Sequence, residues 1–229
     1  MNLSRSQQYT VLAVLGVALV VGTMANELMR ARTGPGGGGP VATPAGELGP
    51  TPGPDAEGYI SQKRAHLNLV ASSEPGRPAA ALVSFSRMLT ASEAAALLGG
   101  MRHDAVFLRY PGSDAEAATV SGGLEEAVSA RAEVLISART EELADLEARV
   151  PGAPPEERTE LERQISERRT WVEQMGAGCA CVYAVAVRGS TLGSLRELGS
   201  RGEVRLVDVP DPPVADLRGW ELRPILPAS

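Results

Sequence analysis

Apolar residues follow three different rhythms along this chain. Between Ser6 and Asn26 there is no charge, and Tyr9 to Ala25 is almost continuously apolar, about the length needed to cross a hydrocarbon core. From Ala80 to Tyr110, and again from Cys181 to Val209, short unbroken runs bracket segments with helical spacing. Between those two stretches, from Gly122 to Met175, single leucines and valines recur every three or four residues among Glu and Arg. Each rhythm predicts a different kind of element.

The two bracketed stretches share one plan. The first reads AALVSFS, then Thr90-Ala-Ser-Glu93 opening an Ala/Leu segment, then Gly99-Gly100 and DAVFLRY, which predicts strand, helix, strand. Thr90 and Glu93 have the spacing of a capping box, in which hydroxyl and carboxylate satisfy free amides of the first turn. The second reads VYAVAV, Ser190-Thr191 as cap, Leu192, Leu195 and Leu198 as the buried stripe, Gly199 as stop, and VRLVDV. Two such units predict an α+β fold: a ferredoxin-like split βαβ sandwich of four antiparallel strands and two helices, with the first and third strands central. A further short helix is expected at Tyr59 to Val70.

The Glu/Arg-rich middle predicts an insertion between the units. Helical patterns over Gly122 to Val150 and Glu156 to Met175 flank Pro151-Gly-Ala-Pro-Pro155, so the chain should form a long helical hairpin. Leu161, Ile165, Arg168, Val172 and Met175 make a short heptad seam, faced by Leu135, Leu143, Leu146 and Val150. The expected organisation is therefore a membrane segment over 1–32, a Gly/Pro-rich linker over 33–57, a first βαβ unit over 58–121, the hairpin over 122–175, a second βαβ unit over 176–210 and a tail over 211–229. The linker TGPGGGGPVATPAGELGPTPGPDAE has almost nothing to bury. The tail, with Trp220 as its anchor, is expected to pack back on the sheet or hang as a strap.

The N-terminal run is either one uncleaved transmembrane helix or a secretory signal cut near Ala25. Its N-terminal side is too short to fold, so the rest of the chain is expected outside the cytoplasm, at the cell membrane or secreted. The formal net charge is -6. Leu124 to Met175 holds thirteen acidic and seven basic residues, leaving fifteen of each elsewhere. Without a basic excess there is no electrostatic footprint for nucleic acid or for an anionic membrane face. Of the 22 basic residues only Lys63 is a lysine, a bias that looks compositional and makes the arginines weak evidence for any ligand.

Few residues here carry chemistry. The two histidines, His66 and His103, stand in no metal-ligand spacing with each other or with the cysteines, and no nucleophile elbow, zinc-protease motif or phosphate loop occurs. His103 beside Asp104 reads as an acid-base pair or, more simply, as surface turn chemistry. No catalytic residue, cofactor or metal ligand is therefore expected. Cys179 and Cys181 are the only cysteines. On a regular strand Cys179, Cys181, Tyr183, Val185 and Val187 share one face, and Ala180, Val182, Ala184 and Ala186 the other. Four readings stay open: an incomplete metal site, a redox pair lacking C-x-x-C spacing, a disulfide needing a bend that Gly176 and Gly178 can supply, or two buried thiols.

VYAVAVRGSTLGSLRELGSRGEVRLVDV, with Val204, Val207 and Asp208 in its last strand, resembles the second half of the subtilisin-propeptide-like inhibitor domain, and LVSFSRMLTASEAAALLGG is similar to its first half. That resemblance implies an inhibitor or intramolecular chaperone that docks its sheet and tail on a protease. The whole arrangement, with its G-C-A-C-V-Y-A element, also resembles a family of uncharacterised membrane-anchored actinobacterial proteins. The leading expectation is a non-enzymatic single-pass envelope protein whose outer domain binds another envelope protein or itself. A protease-inhibitor module and a thiol redox protein are the alternatives. Because both faces of the third strand are apolar, the sheet face opposite the helices should be covered by the hairpin, the tail or a second chain.

Overall fold

The computed structural model describes residues 45–50 and 56–227. The fold is α+β. Among the described residues the elements run β1 (Gly46–Leu48), α1 (Ala56–Ser73), β2 (Pro78–Leu89), α2 (Ala91–Leu98), β3 (Arg102–Arg109), β4 (Ala115–Thr119), α3 (Leu124–Arg149), a 3-10 turn (Val150–Gly152), α4 (Pro155–Gly176), β5 (Val182–Thr191), α5 (Leu192–Gly199), β6 (Val204–Asp208) and β7 (Trp220–Leu222). The predicted transmembrane segment and residues 33–44 and 51–55 of the predicted linker lie outside the described residues. No helix among the described residues is long and apolar enough to cross a membrane.

One sheet has the order β4-β3-β5-β2-β6, antiparallel throughout, and a second pairs β1 with β7 in parallel. The two most continuously apolar runs, β2 and β5, therefore occupy the centre. Helix α2 carries the chain from β2 to β3 across β5, and α5 carries it from β5 to β6 across β2. Both short helices begin as their residues dictate. Thr90 caps α2 in a complete capping box with Glu93, and Thr191 does the same for α5 with Ser194. Leu192, Leu195 and Leu198 are all buried. Three strands carry no strong sequence signal. β4 is a five-residue return from β3 made mostly of alanine, while β1 and β7 have three residues each.

The strand β1 corrects the linker boundaries. Leu48, within the stretch read as having nothing to bury, is 1% exposed, and the last two residues of that stretch, Ala56 and Glu57, open α1. A lone leucine among Gly and Pro has no period to reveal it; its partners lie in the tail, some 170 residues away by sequence numbering.

The alternation expected for β5 is also interrupted. Phe107 of β3 pairs with Ala184, but the next residue, Leu108, pairs with Val182, leaving Tyr183 as an extra residue. This bulge turns Tyr183 to the same side as Ala184, against Leu82, Phe107 and Leu217, while Val182 joins Cys181, Val185 and Val187 on the helix side. Tyr183 and Val182 thus lie on the faces opposite to those a regular strand would give them. The Tyr183 and Phe107 rings meet edge to face at 6.2 Å.

The helix-side core gathers α1, α2, α5 and the base of the hairpin over Ala79, Ala81, Val83 and Phe85 of β2 and the matching residues of β5. Opposite it, Ala80, Leu82, Phe107, Tyr183 and Ala186 form a second apolar face. Of the three covers expected for this face, the tail is the one in place. Val214, Leu217, Trp220 and Leu222 cross it together with Leu48, and Ile225 continues to Leu206 and Ile60. Ala80 N donates to Val214 O at 2.7 Å and Ile225 N to Ser84 Oγ at 3.2 Å. The hairpin docks instead on the helix side, where Leu124 and Val128 of α3 and Met175 of α4 enter the main core.

Tyr110, the residue after β3, has a buried hydroxyl that finds no hydrogen-bond partner among the described residues. Burial, with a smaller contribution from the Glu116 carboxylate, pushes its phenol up to about 12. A folded-state value above the unfolded one means that the contribution is full below pH 10 and is lost as pH rises toward 12. Tyr110→Phe is therefore expected to leave neutral-pH stability unchanged or to raise it by about 1 kcal/mol, since it removes an unsatisfied buried hydroxyl. It should also flatten the alkaline decline; thermal melts from pH 7 to 12 check both.

Candidate functional site

Three places in the fold concentrate polar or reactive groups, and the first is the joint between α4 and β5. Helix α4 ends at Gly176, Ala177 stays helical, and Gly178 takes φ 95°, a left-handed value that a side chain would strain. The turn brings the Cα atoms of Cys179 and Cys181 to 5.3 Å, and a disulfide joins them. Cys181 is fully buried in the helix-side core, whereas Cys179 is only partly buried. Cys179 also borders a groove of about 430 Å³ between the start of α2 and the base of the hairpin, lined by Val128, Ala132, Ile136 and Met175. Arg109 N donates to Cys181 O at 2.8 Å, so pairing with β3 begins at this residue.

The second place surrounds Asp208, at the end of β6 and 1% exposed. Its Oδ2 accepts hydrogen bonds from Gly49 N at 2.8 Å and from the Tyr59 hydroxyl. Its Oδ1 faces the Lys63 ammonium at 3.0 Å, an ion pair rather than an aligned hydrogen bond. Lys63 also lies 5.5 Å from the centre of the Tyr59 ring. Burial, reinforced by the hydrogen bond and the negative charge of Asp208, holds the Tyr59 phenol well above its ordinary value. The charge here is bound and balanced within the chain. It fastens α1 and the residue after β1 to the edge of the sheet. In the sequence Asp208 reads only as the end of a strand element; the signal for its role is the solitary lysine of an arginine-rich chain, four residues after a tyrosine on one helix.

The third place is the hairpin. The predicted seam forms: Leu161, Ile165 and Met175 are buried, with Arg168 and Val172 partly so. Its distal half buries only its own cluster of Leu146, Leu161 and Ile165, flanked by Leu143, Val150 and Ala153. Ion pairs join the two helices at Arg168 to Glu142 (3.3 Å), Arg169 to Glu147 (2.8 Å) and Arg149 to Glu157 (3.2 Å). At the base, Arg131 makes a two-pronged contact with Glu116 of β4 at 2.8 and 2.6 Å. Trp171 Nε1 donates to Pro111 O at 2.8 Å, and the Arg139 guanidinium lies 5.7 Å from the Trp171 ring centre. These contacts fix the base of the arm against the β3–β4 turn.

The remaining sequence candidates are not brought together. Asp104 pairs with Arg188 across the strands at 2.5 Å. His103 Nε2 is buried without a partner among the described residues, and burial depresses the proton affinity of its ring. Trp220 is half-buried in the strap, against the second sheet face. Among the described residues no group of three or more His, Cys, Asp or Glu side chains is placed to hold a metal ion. Comparison with protein-family models, with curated proteins and with solved structures gives no match.

Proposed function

We propose that this chain is a non-enzymatic, single-pass envelope protein whose extracytoplasmic ferredoxin-like domain binds another protein through its helical hairpin. The observation that carries this reading is the division of labour along the hairpin. The base of α3 and α4 belongs to the main core, while the distal half packs only on itself and contributes nothing to the sheet. An arm of 26 and 22 residues costs chain entropy that its small distal cluster only partly offsets. Contact with a partner gives that length a use. The segment from Leu124 to Met175 carries a net charge of -6 from its thirteen acids and seven bases, which suits a partner with a basic surface. Val134 is 56% exposed on α3 and offers an apolar contact within that acidic field.

The strap argues against the protease-inhibitor reading. The resemblance implies docking through the sheet face and tail, yet that face is already filled by the chain's own Val214 to Ile225. The sheet is therefore closed to a protease unless the strap leaves it.

A photo-crosslinking residue placed at Val134 or Arg158 in cells producing the full chain tests the proposal, with Glu197 on α5 as the control position. The expected result is a discrete higher-mass adduct at the hairpin positions that weakens as salt is raised and is absent at Glu197. Adducts at Glu197 alone, or at no hairpin position, overturn it.

A further inference from the structure

We propose that the Cys179–Cys181 disulfide is a site of thiol–disulfide exchange, open to a cysteine-bearing polypeptide segment and attacked at the Cys179 sulfur. This is independent of what the hairpin binds. Three observations converge on it. The bridge closes a loop with a single intervening residue, Ala180. Since cross-links restrain the unfolded chain more as the loop grows, this one sits at the bottom of that scale and adds little global stability. Its two sulfurs are also inequivalent. Cys181 is 0% exposed among core residues, so only the Cys179 end is presented to a reagent from outside.

The surroundings of Cys179 define the reagent. Its groove of about 430 Å³ is walled by Val128, Ala132, Ile136 and Met175, with Glu125 and Glu133 also on its lining, so it favours an apolar segment and disfavours an anionic thiol. An apolar side chain next to a cysteine would fill it, whereas a small hydrophilic thiol would gain nothing from those walls. Reduction is expected to leave the fold intact, since a reduced Cys181 behaves as a small buried apolar residue.

In the step, the incoming thiolate forms a bond to Cys179 Sγ as the Cys179–Cys181 bond breaks. The electron pair leaves on Cys181 Sγ, which takes up a proton. The product is a mixed disulfide on Cys179 and a thiol on Cys181. A second thiol of the incoming segment, or another thiol molecule, then displaces Cys179; the attacking pair is oxidised to a disulfide, and the protein is released with two thiols.

The test uses the full chain, folded and without denaturant. It is exposed to an apolar peptide with leucine on both sides of one cysteine or, in parallel, to reduced glutathione, and then alkylated and weighed intact. The proposal expects the peptide to open the bridge at roughly tenfold lower concentration than glutathione, the gain from burying one apolar side chain, with the first species carrying the peptide on Cys179 and the alkyl group on Cys181. In Cys181→Ser, the peptide's oxidised dimer should leave one peptide on Cys179; in Cys179→Ser it should leave none. A bridge that stays closed to millimolar thiol until denaturant is added overturns the proposal, as does a mixed disulfide that forms first on Cys181. Equal potency of peptide and glutathione removes the polypeptide as the reagent. The wild-type arm stands even if a serine variant fails to fold.

Discussion

Replacing Asp208 with alanine is expected to destabilise the domain by about 3–5 kcal/mol, the range for removing one partner of a buried ion pair. The change strips the Lys63 ammonium and the Tyr59 hydroxyl of their partner and leaves Gly49 N–H with the Tyr59 oxygen alone, at 2.9 Å. For a domain of this size each kilocalorie moves the melting temperature by roughly 2–4 °C, so a fall on the order of 10 °C should be seen. Lys63→Met should cost less, because Lys63 is 20% exposed and the carboxylate keeps its two hydrogen bonds. The double variant Asp208→Leu with Lys63→Met should recover part of the loss, since an apolar pair needs no desolvated charge. Release of Gly49 should also expose residues 45–50 to proteolysis before the rest of the domain. An Asp208→Ala melt within 2–3 °C of wild type, well below the shift expected from that loss, would show that the clasp contributes little.

The clasp and the strap share a property that explains what sequence reading reached and what it missed. Capping boxes at Thr90 and Thr191, the leucine stripe of α5 and the hairpin seam are local. Each is carried by spacings within a single segment of the chain, so the pattern is legible before any fold is known. The second apolar face was also legible, because β5 is apolar on both sides. Its cover was not. Leu48, Leu217 and Ile225 stand in Gly/Pro-containing stretches without a period, and they are buried only because distant segments converge. The Tyr183 bulge escaped for a related reason: a strand with small or apolar residues at every position shows no phase to interrupt. Asp208 looked like an ordinary strand end until Tyr59, Lys63 and Gly49 met it from two other elements.

The same distinction bears on where a partner can bind. An apolar sheet face in an isolated βαβ sandwich has to be covered by the hairpin, the tail or a second chain. With the strap in place the face belongs to the core, and the large surface of single sign is the hairpin. The two candidate interactions are thereby separated in space. The arm projects from the helix side, while the exchange groove lies at its base, next to the joint through which α4 returns to the sheet.

Ending the chain after Pro210 is expected to have the larger effect of the two. It removes Val214, Leu217, Trp220, Leu222 and Ile225 from the second face. At about 1.5–3 kcal/mol for each fully buried apolar side chain, and less for the three that are only partly covered, the loss approaches the 5–15 kcal/mol that stabilises a whole domain. The shortened chain should bind a hydrophobic dye, self-associate in light scattering and lose most of its cooperative melt. Leu217→Ala, a milder version, should cost about 2–4 kcal/mol and keep the protein monomeric. The truncation also discriminates between two roles for the strap. If it is core, the loss cannot be separated from unfolding or association. If it is a removable cover over a docking face, the shortened chain stays folded and monomeric and gains affinity for a protease. A monomeric, normally melting truncation that inhibits a subtilisin-like protease would move the binding site from the hairpin to the sheet.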